Sequence, residues 1–253
     1  MNLAIRWNRI LAAALLLFAP VAQAQDGRGD VVYVPTPQIV VDEMLRMAKV
    51  GANDYVIDLG SGDGRIVIIA ARKFGARGLG IELDQRLVEK SRDNARAAGV
   101  ADRVAFVQGD VLTADISKAS VVTVYLLPGL IGQLQQRFTG ELRPGTRIVS
   151  HAFGMTGWTP DRSGTIRLSK AHRGQGDESR LFLWIVPADV RGLWQGDGKR
   201  FRIEQDYQKI EVDGVSGKLS GNDISWGQFR GRVEGERMNG DLGGKPLVLR
   251  RSR

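Results

Sequence analysis

Three carboxylates stand at the ends of three short apolar runs in the first half of the chain. Asp58 lies near the end of the first run, Glu82 follows it by 24 residues, and Asp110 comes just after the third run. If these runs are neighbouring parallel strands, their carboxyl ends meet at one edge of a sheet, where such sheets bind their ligands. A single acid is usually only a solvated surface residue. Three acids at consecutive strand ends therefore indicate a binding site with an acidic interior.

A glycine-rich turn, residues 60–64 with the sequence Gly-Ser-Gly-Asp-Gly, directly follows the first acidic strand. Such a turn lets the backbone approach a ligand closely. Its spacing is not that of a dinucleotide site, because Arg65 stands where the third glycine belongs, and no Gly-Lys-Ser/Thr follows as in a P-loop. Asp58 and Asp63 flank the turn. Two acids in this position disfavour a pyrophosphate and favour a cation.

S-Adenosylmethionine has the required charge, because it carries a sulfonium and an α-ammonium group. Glu82 stands where an acid of a Rossmann-like site accepts hydrogen bonds from two ribose hydroxyls. Asp110, in the segment Gln108-Gly109-Asp110-Val111, suits the amino group of an adenine. The types and spacing of these residues therefore point to S-adenosylmethionine as the cofactor.

The elements that must position these acids alternate between strands and helices. The sequence predicts a doubly wound parallel sheet, with helices between the strands and a hairpin at its end. Thr36 is expected as the N-cap of the first helix with Pro37 at its first position, and Gly51 as its end. Asp84 is expected to cap the helix that follows the second strand. The predicted strands are Tyr55–Gly60, Gly78–Glu82, Val104–Val107, Val121–Tyr125 and Arg147–His151, followed by a hairpin of Thr165–Lys170 and Arg180–Val186.

The pattern changes after Pro187, where helical periodicity ends and glycines become frequent. A weak repeat relates Gly217–Gly221 to Gly231–Gly235 at an offset of 14 residues, the length of two strands and a turn. We expect residues 188–253 to form a small antiparallel β module, in the form of a partial barrel. The predicted organisation is a signal peptide (1–24), an S-adenosylmethionine-dependent domain (25–187) and this module (188–253).

The chain resembles the class I (seven-β-strand) S-adenosylmethionine-dependent methyltransferases over roughly residues 31–187, with Val56–Arg65 as the core motif. Tyr33–Pro37 resembles the segment ahead of this motif in small protein-lysine methyltransferases. These are related to the mitochondrial enzymes that modify the ATP synthase c-subunit and the adenine nucleotide translocase. The resemblance implies a Rossmann-like fold and the cofactor-binding residues Tyr33, Thr36, Asp58, Gly60, Ser61, Gly62, Glu82, Asp110 and Val111. By residue type alone, the Tyr33–Thr36 segment is equally a simple entry into a helix.

The methyl acceptor is less clearly encoded than the cofactor. Tyr125 ends the fourth strand, where this class places residues beside the acceptor, and it is the candidate for the acceptor side. The resemblance implies that the acceptor is an accessible lysine of a protein. Membrane-associated proteins are among the candidate substrates. The Asn/Asp-Pro-Pro-Tyr/Phe motif of amide and nucleobase enzymes is missing, so no nucleic acid is expected. His151 is interpreted as a hydrogen-bonded structural residue.

Two alternatives remain open at this point. One is a methyltransferase that acts on a small molecule, because the motifs report the cofactor better than the acceptor. The other is an exported, non-catalytic binding module, since S-adenosylmethionine is made in the cytoplasm. Four tryptophans are interpreted as core residues and not as a cage for methylated amines: Trp158, Trp184, Trp194 and Trp226. They therefore do not decide between the two alternatives.

Composition and the N-terminal residues bear on location. Arg6 and Arg9 precede the apolar run 10–19, and Ala22-Gln23-Ala24 forms a cleavage pattern with the cut expected before Gln25. Cleavage would lower the net charge from +8 to +6. The chain has no cysteine and two histidines, which excludes disulfides, thiol nucleophiles and cysteine-ligated zinc, so no metal is expected. The sequence predicts a periplasmic or otherwise exported protein.

Overall fold

The computed structural model describes residues 33–172 and 176–252, with the side chain of His172 left out. The predicted signal peptide, residues 1–24, lies outside the described residues, and its cleavage stays a prediction. No helix in the described ranges is both long enough and apolar enough to cross a bilayer.

Seven strands form one mixed sheet: β1 (Tyr55–Leu59), β2 (Arg77–Glu82), β3 (Val104–Gln108), β4 (Val121–Val124), β5 (Arg147–His151), β6 (Arg162–His172) and β7 (Gly176–Ile185). Their spatial order is β3-β2-β1-β4-β5-β7-β6. The first five strands pair in parallel, and β7 is antiparallel to both β5 and β6. The order reverses between β1 and β4, which creates the crevice where ligands of open α/β sheets bind. The predicted fold class is confirmed.

Four helices cover the sheet: α1 (Gln38–Met47), α2 (Arg65–Phe74), α3 (Gln85–Ala97) and α4 (Pro128–Glu141). Their apolar faces pack on a sheet whose central strands are almost completely buried, as expected for parallel strands covered on both sides. Asp84 caps α3 as predicted, because its side chain accepts a hydrogen bond from the N–H of Arg86. The two strands of the β6–β7 hairpin extend further toward the turn than predicted, because β6 reaches His172 and β7 begins at Gly176.

The predicted ends of the first helix are wrong at both positions. Pro37, not Thr36, is the N-cap, and the side chain of Thr36 makes no cap hydrogen bond. The helix ends at Met47, since Lys49 takes a φ of 52°, so Gly51 lies beyond the turn that stops it. The reason at the N-terminus is tertiary, because the Thr36 hydroxyl contacts a buried histidine of β5.

The C-terminal strands form a closed barrel, and the expectation of a partial one is thereby corrected. The strands are β8 (Gly192–Gly196), β9 (Lys199–Asp206), β10 (Lys209–Val212), β11 (Val215–Ser220), β12 (Asp223–Trp226), β13 (Phe229–Glu234), β14 (Arg237–Leu242) and β15 (Lys245–Arg251). Pairing of β15 with β8 closes the circle. The 14-residue repeat corresponds to two hairpins, β11–β12 and β13–β14. Leu219 and Val233, at equivalent positions, are both buried inside the barrel.

The four tryptophans are core residues, as predicted. Trp158 and Trp184 belong to the core of the sheet domain, and Trp194 and Trp226 to the barrel core. The indole N–H of Trp184 donates to the carbonyl of Trp158, and that of Trp194 to the carbonyl of Val190. Their burial and internal hydrogen bonds leave no open aromatic cage among them.

Candidate cofactor and acceptor site

Asp58 is the buried acid at the centre of the sheet edge. Only 2% of its surface is exposed, and its Oδ1 accepts a hydrogen bond of 2.7 Å from the hydroxyl of Thr123 on β4. Asp58 and Thr123 are directly paired in the parallel register of β1 and β4, which explains the contact. Burial raises the pKa of Asp58, and with the smaller contributions of the nearby Glu82 and Asp63 carboxylates the pKa reaches about 7, against the lowering effect of the hydrogen bond from Thr123. A cationic ligand would relieve this repulsion.

Glu82 joins the second strand to the glycine turn. Its Oε2 accepts a hydrogen bond of 2.8 Å from the N–H of Gly62, and its Oε1 accepts from the N–H groups of Leu83 and Asp84 at 2.9 and 3.1 Å. Three backbone donors thus hold the carboxylate in one orientation at the end of β2. The structure brings Glu82 to the same sheet edge as Asp58, as the sequence predicted.

The backbone N–H groups of the glycine turn point into the protein. Those of Gly60 and Ser61 donate to the carbonyl of Ile81 at 2.9 and 3.0 Å, and that of Gly64 donates to the carbonyl of Ser61. A pyrophosphate site needs such groups free to face the anion. Since the carboxylate of Glu82 occupies the N–H of Gly62, the turn lacks the donor arrangement of a phosphate loop. This agrees with a cation as ligand.

The glycine turn has no room for a side chain at its first residue. A Cβ on Gly60, where φ is 76°, would lie 2.8 Å from Cδ2 of Leu126, so the turn packs closely against the residue after Tyr125. The hydroxyl of Ser61 is buried and has no hydrogen-bond partner among the described residues. An unsatisfied buried hydroxyl in this turn fits a polar ligand.

Asp110 and Val111 follow β3 at the same edge. The N–H of Gly109 donates to the carbonyl of Glu82, the last residue of β2, at 2.9 Å. Asp110 therefore directly follows a residue that is hydrogen-bonded to the end of β2. Asp110 is exposed and accepts a hydrogen bond from the N–H of Leu112, while Val111 is half-buried against the core. Their predicted contact with an adenine stays a prediction.

Asp63 is paired within the protein and is not free to attract a cation by itself. Arg65 donates to both of its carboxylate oxygens, from Nε at 2.8 Å and from Nη2 at 2.6 Å. The same guanidinium donates from Nη1 to the carbonyl of Thr36 at 2.9 Å. Arg65 therefore ties the segment before α1 to the glycine turn, a role that residue type and spacing did not reveal.

Thr36 lies at a polar cluster with His151 of β5, and its predicted contact with the cofactor stays a prediction. Its Oγ1 lies 3.3 Å from Nδ1 of His151, whose Nε2 lies 3.2 Å from Oγ of Ser179 on β7. His151 is completely buried, as predicted for a structural histidine. The ring of Tyr125 packs against the histidine, with 4.2 Å between ring centroids. Tyr125, the acceptor-side candidate, is half-buried at the end of β4.

Tyr33 is the first described residue. Its predicted role in closing over the cofactor stays a prediction. Among the described residues, no group of histidines and acids is arranged to hold a metal ion.

Three further supporting residues were not identified from the sequence. Thr123 orients Asp58, as described above. Ser91 and Asn94 of α3 donate to the carbonyls of Gly62 and Asp63 at 2.9 and 2.8 Å, so that α3 anchors the glycine turn. The pairing of Asp58 with Thr123 depends on the register between β1 and β4, and the two α3 contacts depend on how that helix packs. No local pattern in the sequence reports either one.

Comparison with known proteins agrees with this geometry. The model of the ANTKMT methyltransferase domain matches residues 58–162. A protein-lysine N-methyltransferase of Saccharolobus islandicus is 44% identical over 129 residues, 51% of this chain and 80% of that protein.

The chain is a class I S-adenosylmethionine-dependent methyltransferase, in the group that contains this lysine methyltransferase.

One further relative matches over about half of its length, and a solved structure matches over almost all of its own. The ATP synthase c-subunit lysine N-methyltransferase of Xenopus laevis is 34% identical over 51% of this chain and 56% of its own length. A solved RNA methyltransferase from Salinibacter ruber, in complex with S-adenosylhomocysteine, is 52% identical. It covers 62% of this chain and 96% of its own, with a TM-score of 0.56. S-Adenosylmethionine is the cofactor of this methyltransferase. That Asp58, Glu82 and the glycine turn hold it stays a prediction.

Proposed function

We propose that this methyltransferase transfers a methyl group to the amine of a protein lysine. The observation that carries the proposal is the 44% identity to a protein-lysine N-methyltransferase over 129 residues. The family match from residue 58 to 162 includes the cofactor edge and the strand ends that carry Tyr125 and His151. The relatives named for the ATP synthase c-subunit and for the adenine nucleotide translocase support the same chemistry.

When bound, S-adenosylmethionine would supply an electrophilic methyl carbon, which an amine nitrogen attacks in line with the breaking C–S bond, so that S-adenosylhomocysteine leaves. The residues of the chain then have to orient the partners and exclude water. A free lysine has a pKa of about 10.4, so the attacking amine must first lose a proton. Tyr125 is the residue we propose to contact that amine, and the packing of its ring against His151 supports a defined position for it. The acids on the cofactor side favour a cation and so help to hold the sulfonium.

The location and the type of substrate are also part of the proposal. The n-region, the apolar run and the cleavage pattern in residues 1–24 support export to the periplasm. A substrate in or at the membrane is supported by two relatives, whose names refer to the ATP synthase and to a translocase. A mature protein that begins at Gln25 and is recovered with the periplasmic fraction is expected. A cytosolic protein whose mass includes Met1 would contradict export.

RNA is a second candidate acceptor, favoured by one observation. The solved relative that is 52% identical is named as an RNA methyltransferase. Against this, β4 is followed by Tyr125-Leu126-Leu127-Pro128 and not by the Asn/Asp-Pro-Pro-Tyr/Phe motif of nucleobase enzymes. The lysine proposal is therefore preferred, and the experiment below includes RNA.

The test is methyl transfer from radiolabelled S-adenosylmethionine to an envelope extract and, separately, to total RNA. We expect labelled protein bands, with the label on a lysine that mass spectrometry identifies and that a lysine-to-arginine change in the acceptor removes. The variant D58A serves as the inactive control. Label found in RNA would favour the second candidate, and label found only in small metabolites would exclude both.

A further inference from the structure

One turn of the barrel differs from all the others in composition. Seven two-residue turns join the described strands β8 to β15, and each has its first residue at a positive φ between 45° and 62°. Glycine or aspartate occupies six of these first positions: Asp197, Asp213, Gly221, Gly227, Gly235 and Gly243. The seventh, between β9 and β10, is Tyr207, with a φ of 51°.

A tyrosine is a poor choice for this backbone conformation. Glycine has no Cβ to clash there, and aspartate tolerates the left-handed region better than other residues because of its short polar side chain. A bulky residue held in this region is strained and persists only where its surroundings compensate. The turn Tyr207-Gln208 is also the only one of the seven with no glycine. We therefore expect the side chains of this turn to make contacts that compensate for the strained backbone and that glycine could not make.

Both side chains contact the methyltransferase sheet domain. The ring of Tyr207 stacks on Trp158, with 4.7 Å between centroids and 8° between planes, and its hydroxyl accepts a hydrogen bond of 2.7 Å from Nε2 of Gln135. Gln208 is buried, and its Nε2 donates to the carbonyl of Thr159 at 2.5 Å. Gln135 also donates to the carbonyl of Thr156 at 2.9 Å.

These contacts reach the two segments that leave the acceptor side of the site. Gln135 belongs to α4, which begins three residues after Tyr125. Thr156, Trp158 and Thr159 belong to the connection that follows His151 at the end of β5. Trp158 shares one buried apolar cluster with Leu126, the neighbour of Tyr125. The turn therefore contacts both segments, α4 through Gln135 and the connection after β5 through Trp158 and Thr159.

The cofactor side receives no comparable support from this turn. The glycine turn of residues 60–64 is held by Glu82, Ser91 and Asn94, all within the sheet domain. We infer that the barrel is a brace for the acceptor side of the methyltransferase, and that Tyr207 is a positioning residue for Tyr125 through Trp158 and Gln135. The designation of this side as the acceptor side rests on the proposed function.

The test uses hydrogen–deuterium exchange of the whole chain, which needs no acceptor. The variant Y207N keeps a residue that tolerates a positive φ but removes the aromatic stack. We expect amides in residues 125–135 and 152–161 to exchange about tenfold faster, the size expected from losing one stacked aromatic pair. Affinity for S-adenosylhomocysteine, measured by calorimetry, is expected to stay within about twofold, because Glu82, Ser91 and Asn94 hold the glycine turn and Tyr207 does not contact them.

The control is D197N, which introduces the same residue at the same position of a turn whose residues are exposed. It is expected to leave exchange in both segments unchanged. Y207F keeps the stack and loses the contact with Gln135, so it is expected to be intermediate. Unchanged exchange in Y207N would overturn the inference, and so would an equal acceleration throughout the chain, because that would show a general loss of stability.

A second readout addresses function. With an envelope extract and labelled S-adenosylmethionine, Y207N is expected to lower methyl transfer about tenfold while affinity for S-adenosylhomocysteine is retained. Y207F is expected to recover most of the activity. If the unmutated protein methylates nothing in the extract, the proposed function fails, but the exchange result still decides whether the barrel braces these segments.

Discussion

The two sides of the site are built differently. On the cofactor side, Asp58, Glu82 and the glycine turn lie within 25 residues of one another and are held mainly by backbone groups. On the acceptor side, Thr36 meets His151 across 115 residues, and Tyr207 meets Gln135 across 72. The main cofactor-side residues are therefore close in sequence, although Thr123 contacts Asp58 across 65 residues. The acceptor side depends on contacts between distant segments.

Removal of an acid on the cofactor side should have the largest effect. We expect D58A or E82A to weaken binding of S-adenosylmethionine about a hundredfold, because each substitution removes a charged partner of the ligand from a largely desolvated edge. Calorimetric titration measures this loss. D115A removes an exposed acid outside the site and should bind normally. No binding by the unmutated protein would sink both the lysine and the small-molecule interpretations.

Packing beneath the glycine turn comes next. A Cβ on Gly80 would lie 2.5 Å from Cδ1 of Phe106 and 2.6 Å from Oγ of Ser61. G80A is therefore expected to lower the free energy of unfolding by about 1–3 kcal/mol, the usual cost of overpacking. G132A, at a helical position with open space around it, should instead be neutral or stabilising. Denaturant unfolding distinguishes the two, and equal stability would mean that the turn accommodates the added methyl.

The raised pKa of Asp58 predicts a pH dependence confined to the cofactor side. With a pKa of about 7, its charged fraction rises about tenfold between pH 6 and 8, and affinity for the cationic cofactor should rise by a similar factor. D58N should abolish that rise.

The same shift has the opposite sign for stability without ligand. Between about pH 4 and 7 the folded protein holds a proton on Asp58 that the unfolded chain has lost, so this residue lowers stability as pH rises. Calorimetry at several pH values tests the first effect and thermal unfolding of the apo protein tests the second. A flat affinity profile would show that Asp58 is already charged at pH 6.

The smallest predicted effect concerns Thr36 on the acceptor side. T36V removes the hydroxyl that contacts His151 and should cost about 1 kcal/mol in the free energy of unfolding, the usual value of one hydrogen bond. T139V, at an exposed position of α4, should cost less. If both variants are equally stable, the contact between Thr36 and His151 contributes nothing, and the acceptor side is held by the barrel alone.

Much of the site was predictable because its signals are local. The acids at strand ends, the glycine turn and the cap at Asp84 each depend on residues a few positions apart, and the structure has them as expected. The contact of the Thr36 side chain could not be predicted from neighbouring residues. Its type and its place before Pro37 favour an N-cap, yet a histidine 115 residues away captures the hydroxyl. Arg65 was noted only as a mismatch to a glycine, although it joins two parts of the site.

The sequence by itself determined the class of sheet, the charge of the ligand site and the identity of the cofactor, because periodicity and short-range spacing encode them. Only the tertiary structure decided that the β module closes into a barrel, since closure requires β8 and β15 to meet across the module. It also decided that Thr123 orients Asp58 and that Tyr207 reaches Trp158. These contacts depend on register and packing between distant segments, which no local pattern of residues specifies.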